Sequence, residues 1–415
     1  MQAFSIKKST KPTRRLNNVE KPGQFMNVYK NGFKAFTILL VALAVSSCGL
    51  FKSKKEKQDI VIPDPIPVAS QTASVQRIWK RKIGDFEKSF ARLVPALGPD
   101  RLLVTSPNGR VQAIDRKTGD QIWQVKLKQD INAGVGYGGG IAALVTEDGE
   151  LIALSTEDGS EKWRSSLRAE VLARPVIGNA VVVAQAVDGQ VMGLSVTSGS
   201  REWSYRQTVP SLTLHGTAEP LVVSYYAVAG FSNGRLAAIE LASGRVVWEL
   251  PVGQASGQNE IDRLIDIDAR PVIDGDTMYV AVYQGNLTAI EVRSGQIIWS
   301  KDISTHKDFS VDSNRLYVID DKERLLAINR ASGEVEWTAD WLSHRAPTGT
   351  VTTNAFVAVA DASGFLYLID KESGEAAAQV RVAKDGVQDT PIWDDDTLYV
   401  QGRNGVLNAY QIQDQ

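Results

Sequence analysis

The chain is poor in the residues that build most reactive centres. In 415 residues it has one Cys and three His, and His215, His306 and His344 share no spacing. Thiolate zinc sites and CxxC redox pairs need clustered Cys and His, and an internal disulfide needs two Cys, so these are excluded. Positive charge is also scarce. The formal net charge is −2, but residues 1–47 hold eight Lys and Arg against one Glu. Without them, 38 basic and 47 acidic side chains remain, a net charge of −9. Phosphate backbones are bound by basic surfaces, so nucleic acid is not a partner. Long helical periodicity is missing as well, which disfavours a helical solenoid.

Hydrophobic residues make up 43% of the chain, enough for a sizeable core. The one long apolar run is FKAFTILLVALAVSS (33–47), with Lys30 and Lys34 at its head and small residues at its end. It is short for a membrane span and has the layout of a secretory signal. It ends at Val45-Ser46-Ser47-Cys48-Gly49, which resembles the bacterial lipobox, whose Cys is acylated and becomes the mature N-terminus. Two or three acyl chains suffice for stable anchoring, whereas one is marginal. Gly49, rather than Asp, follows the Cys and by the same resemblance favours outer-membrane sorting. Met26 opens a normal n-region, MNVYKNGFKAF, and competes with Met1 as the start. The expected organisation is a signal peptide over 1–47, a lipidated Cys with a Lys/Pro-rich tether over 48–74, and a folded body over 75–415.

That body is a repeat. A turn followed by alternating apolar residues recurs eight times: NGRVQAI (108–114), DGELIAL (148–154), DGQVMGL (188–194), NGRLAAI (233–239), QGNLTAI (284–290), KERLLAI (322–328), SGFLYLI (363–369) and NGVLNAY (404–410). Asn-Gly and Asp-Gly favour hairpin turns, and the alternation is that of strands. A second turn and a Trp follow, as in TGDQIW or SGQIIW, and the Trp stands 14 residues after the second turn residue in six copies. In the seventh copy that position is Ala378. Short strands repeating about every 40 residues with a recurrent Trp indicate propeller blades. Trp79 has no hairpin before it and the hairpin at 404–410 has no Trp after it, so the two ends complete one blade. The fold class is therefore all-β, an eight-bladed β-propeller closed by its N- and C-terminal strands.

Several motifs imitate chemistry. GFSNG (230–234) matches the GxSxG nucleophile elbow, but its Asn-Gly is the hairpin turn of the repeat and no helix follows. GVGYGG (134–139) matches GxGxxG without the helix that would receive a pyrophosphate. Asp394-Asp395-Asp396 aligns with an ordinary turn in VIDGDTMYV (272–280). No nucleophile–base pair and no ligand set emerges, so neither catalytic residues, cofactor nor metal is assigned.

The spacing between each Trp and the next hairpin varies, and its two largest values, 31 and 37 residues, are adjacent. The first insertion contains VPSLTLHG (209–216), the second GQNEIDRLIDIDARP (257–271). Carboxylates at such short spacing could be catalytic acids, cation ligands or a docking surface. An apolar loop beside an acidic one, both at a rim, fits a protein-binding surface. The competing reading is that Leu212 and Leu214 are core residues and the Asp side chains solvate a turn.

A lipobox, a Lys/Pro tether and eight blades with SGxxxW turns together resemble the BamB family of outer-membrane protein assembly lipoproteins, from about Met26 onward. EIDRLIDID with Pro271 close behind, and SGQIIW after NLTAI, carry the likeness. The resemblance implies a non-catalytic, periplasm-facing, lipid-anchored subunit of the β-barrel assembly (BAM) complex. Its partners would be the periplasmic (POTRA) domains of BamA, other subunits of that complex and, by strand addition at a blade edge, unfolded outer-membrane proteins. Family contact positions fall on Leu212, Leu214, Asp266 and Asp268; His215 stands where the family usually has Arg. The repeat also resembles quinoprotein dehydrogenases, an alternative that requires a quinone site.

If Cys48 is the acylated N-terminus, the intact mass of membrane-extracted protein will equal residues 48–415 plus lipid. A soluble species beginning at Ser46 or Ser47 would exclude it.

Overall fold

Each hairpin turn of the repeat joins two antiparallel strands in the computed structural model, which describes residues 66, 72–86, 91–210, 217–253 and 264–414. Cys48, Leu212, Leu214 and His215 lie outside these residues. No helix occurs among the described residues, and the strands form eight four-stranded sheets. Seven blades are continuous in sequence: 96–126, 136–166, 176–206, 221–251, 272–301, 310–339 and 351–381. Blade 8 combines Ile392–Asp394, Thr397–Gln401 and Val406–Asp414 with the N-terminal strand Ala73–Lys82. That strand begins just before the expected boundary at residue 75. It pairs along its whole length with the C-terminal strand, from Ala73 opposite Asp414 to Lys82 opposite Val406.

Within a blade the two middle strands are buried on both faces, which is why they read as runs such as Val181–Gln185, VVVAQ, rather than alternating. The outermost strands are wet and bury mainly one residue. In Gln121–Lys126, Glu161–Ser166 and Arg201–Arg206 that residue is the Trp.

The Trp is a clasp between blades. Seven indoles, those of Trp79, Trp123, Trp163, Trp203, Trp248, Trp299 and Trp337, donate to a backbone carbonyl of the next blade at 2.5–3.1 Å. Each ring also lies against a Gly in that blade's outer turn: Gly119, Gly159, Gly199, Gly244, Gly295, Gly333 and Gly374 in the same order. A Cβ on any of these Gly would stand within 3.0 Å of the ring, and all seven have φ between 69° and 76°. Only Gly meets both demands without strain. The fixed 14-residue spacing is thus one strand, one turn and the first half of a strand, ending where the indole reaches its neighbour.

Across the strand pair, each of these seven Trp faces a small residue: Ala113, Ala153, Gly193, Ala238, Ala289, Ala327 or Ala409. Blade 7 inverts the pair, with Leu368 opposite Ala378. The reason lies in the closure. Blade 8 takes its outermost strand from the N-terminus, so the chain never makes the Gly turn that a Trp at 378 would clasp. Ala73 and Ala378 pack there instead, both buried, and the Thr72 N–H donates to the Ala377 carbonyl at 3.1 Å.

Trp163→Ala removes a buried ring and orphans the Val196 carbonyl, and should cost about 3–5 kcal/mol, read from denaturant unfolding. Ala378→Trp, which restores the repeat consensus, should instead destabilise by about 1–3 kcal/mol through overpacking. Adding Leu368→Ala should recover part of that loss. A stabilising Ala378→Trp would refute this account of blade 7.

Candidate functional site

The loops that lead from one blade into the next share a face with the Asn-Gly turns. The backbone shows it: Leu127 N–H donates to the Gly109 carbonyl, and Val252 N–H to the Gly234 carbonyl. Both long insertions open on this face, one between blades 3 and 4, the other between blades 4 and 5.

The second insertion is described from Leu264 onward, and it is anchored. Ile265, Ile267 and Ala269 are buried, and Ile265 and Ile267 join the apolar core between blades 4 and 5. Their places are set by the two glycines of GFSNG: a Cβ at Gly230 would lie 2.4 Å from Ile267, and one at Gly234 would lie 2.7 Å from Ile265. GFSNG is therefore a socket for the LIDID segment. The Tyr283 N–H adds a 2.8 Å hydrogen bond to the Asp266 carbonyl.

This anchoring corrects one expectation. Asp266 and Asp268 were both expected on an exposed loop, yet Asp266 is 1% exposed and has its own contacts within the protein. Two buried isoleucines flank it and draw the backbone into the groove between blades, taking the carboxylate with them. Asp268 is only partly buried and stands two residues before Arg270, which lines the axial channel.

There it belongs to a charge cluster that sequence reasoning missed. Arg92, Arg174, Glu219, Arg270, Asp308 and Asp389 come from six different inter-blade loops. Arg174 pairs with Glu219 at 2.6 Å. Arg92 reaches across to Asp308 at 3.5 Å and Asp389 at 4.0 Å, with 42% of its side chain exposed. Asp308 also accepts the Arg270 N–H at 2.9 Å. Burial pushes the Asp268 carboxyl above its ordinary pKa while Arg92 opposes the shift. Asp389 is likewise raised by burial against the pull of Arg92. For Asp308, burial acts in the same sense but is outweighed by Arg92 and Arg270, and its pKa is lowered. The only sequence signal for the cluster is positional: Arg174, Glu219, Arg270 and Asp308 each stand two residues before an innermost strand. Behind it runs an axial channel of about 640 Å³, walled mainly by apolar residues such as Val176, Leu221, Val272 and Ile392.

The other motifs resolve structurally. GVGYGG contains the innermost strand of blade 2, Gly136–Gly138, with no helix after it. Asp394 and Asp395 meet Arg116, and Asp396 accepts from Asn354 at 2.8 Å. His306 stacks edge-on against Tyr283, with ring centroids 5.8 Å apart. Among the described residues no group of three or more His, Cys, Asp or Glu is placed to hold a metal ion. The cation-ligand reading of IDRLIDID also meets an obstacle, because the positive charge of Arg92 already acts on Asp268.

Comparison with known proteins agrees with the geometry. The family profile described as outer membrane protein assembly factor BamB matches residues 107–339 and 323–414. A relative of that description from Kangiella koreensis is 37% identical over 91% of this chain and 96% of its own length. The Pseudomonas aeruginosa relative is 40% identical over 92% and 99%, and that of Escherichia coli K12 32% over 89% and 96%. The crystal structure of BamB from Moraxella catarrhalis superimposes with a TM-score of 0.75 at 27% identity, covering 81% of this chain and all of that one. A quinohemoprotein alcohol dehydrogenase from Comamonas testosteroni reaches a TM-score of 0.64 at 14% identity, which shows a shared fold alone. The chain is a member of the outer membrane protein assembly factor BamB family.

Proposed function

We propose that the protein is a non-catalytic, lipid-anchored subunit of the outer-membrane β-barrel assembly machinery. It faces the periplasm and docks on the periplasmic domains of BamA through the face that bears the two long inter-blade loops. The observation that carries this reading is the anchored LIDID segment. Ile265 and Ile267 fix the backbone in the groove between blades immediately before Asp268. With its Oδ1 making no hydrogen bond among the described residues, that carboxylate suits pairing with a basic side chain of another protein alongside Arg92. Leu212, Leu214 and His215 are proposed as further contacts from the neighbouring loop. By the same reading, Cys48 carries the lipid and unfolded outer-membrane proteins are brought to the complex rather than processed by this chain.

The two aspartates should behave differently. Asp268→Asn should weaken binding of the BamA periplasmic region by tenfold or more, since losing one member of a desolvated charge pair costs about 2–5 kcal/mol. Its melting temperature should be unchanged. Asp266→Ala should instead lower the melting temperature, because its carboxylate is buried within the fold. Isothermal titration and thermal unfolding of both variants decide the matter. Parental affinity in a folded Asp268→Asn protein would remove Asp268 from the interface.

A further inference from the structure

We propose that Arg92 is a positioning residue for partner binding: it touches no partner itself, but its charge holds the Asp268 carboxylate in its docking state. The inference rests on the docking reading above and extends it to a loop four blades away around the ring, between blades 8 and 1.

The geometry supplies the argument. Arg92 enters the axial cluster from the loop between blades 8 and 1. Its guanidinium stands 3.5 Å from Asp308 and 4.0 Å from Asp389, and its positive charge also favours the ionised form of Asp268. Both distances exceed that of a hydrogen-bonded ion pair, so the guanidinium is shared rather than committed to one carboxylate. Asp308 in turn accepts the N–H of Arg270, two residues beyond Asp268. One cation therefore links the carboxylate to be presented with the carboxylate that fixes the backbone beside it. Buried oxygens sharpen the demand: Asp268 Oδ1 and Asp389 Oδ1 have no hydrogen-bond partner among the described residues. Without a nearby cation, such groups shed their charge by taking up a proton.

The groups facing Asp268 are Arg92, Asp308 and His306. Asp389 faces Arg92 and Asp308, while Arg174 is paired with Glu219. Asp308 opposes ionisation of Asp268, and Arg92 favours it whatever the pH, since a guanidinium stays protonated. His306 favours it only when protonated. The sign of the pH effect follows. With Arg92 removed, Asp268 binds its proton at higher pH, so partner binding is lost earlier on acidification. A neutral Asp268 cannot pair with a basic group.

The test is a double-mutant cycle. Affinity for the BamA periplasmic region is measured from mildly acidic to mildly basic pH for the parent, Asp268→Asn, Arg92→Gln and their combination, with Arg92→Lys as the conservative control. Arg92→Gln should bind about tenfold more weakly at the acidic end and recover towards the parent at the basic end. In the Asp268→Asn background it should change nothing, and Arg92→Lys should keep most of the parental affinity. If Arg92→Gln fails to fold, Asp308→Asn provides the opposite arm: it frees Arg92 for Asp268 and should move the acidic loss of binding to lower pH. An unshifted pH profile in whichever variant folds, or an equal loss with and without Asp268, overturns the inference and leaves the docking reading standing. A parent protein that does not bind overturns both.

Discussion

The indole–glycine clasp between neighbouring blades is the constraint on which the structure depends. A four-stranded sheet has two apolar faces and cannot cover both alone, so stability has to come from the blade-to-blade junctions. At seven of them one Trp fills the gap, hydrogen-bonds the next backbone and rests on a glycine that no other residue replaces without strain. A directional bond and a steric seat together fix the offset between blades. Because the clasp sets that offset seven times over, the ring is closed by repetition of one local rule rather than by any special contact at its centre. The axis is thereby left free for side chains with no structural task in the blades.

The eighth junction shows what happens where the rule cannot apply. The N- and C-terminal strands meet in blade 8, which therefore lacks the turn that would seat an indole. The Trp is absent there, and the strand opposite carries Leu368 where the other blades carry Ala or Gly. Volume moves from one strand to its neighbour while the junction stays filled. The long pairing of Ala73–Lys82 with Val406–Asp414 then does the work of the missing clasp. Closing a loop of this length costs little more entropy than closing a short one, so joining the termini is an inexpensive way to seal a ring.

The blades were legible in the sequence because they are periodic: a turn, an alternation and a Trp at fixed distance leave one consistent fold, and even the composite blade could be counted. The fate of the aspartates was not. Whether Asp266 faces water depends on Gly230 and Gly234, more than thirty residues earlier and in another strand of the ring. Read alone, GFSNG imitates a nucleophile elbow. Read beside LIDID, its glycines are the space two isoleucines need. Arg92 was invisible for a related reason. No repeat pattern marks it, and its partners Asp308 and Asp389 are hundreds of residues away, brought together only when the ring closes. Periodicity reports contacts made in every blade, whereas the axial cluster is made once.

That difference explains how one scaffold carries both an enzyme family and an assembly factor. The dehydrogenase neighbours share the blades at 14% identity, so the clasped ring dictates neither chemistry nor partner. What differs is what the inter-blade loops place at the axis. Here they place three arginines among the carboxylates of Glu219, Asp268, Asp308 and Asp389, over a channel with mainly apolar walls. Charges so close in a partly desolvated setting set one another's protonation, and a rigid ring keeps them from relaxing apart. In the docking proposed above, such a surface would recognise a partner by complementary charge at one defined point.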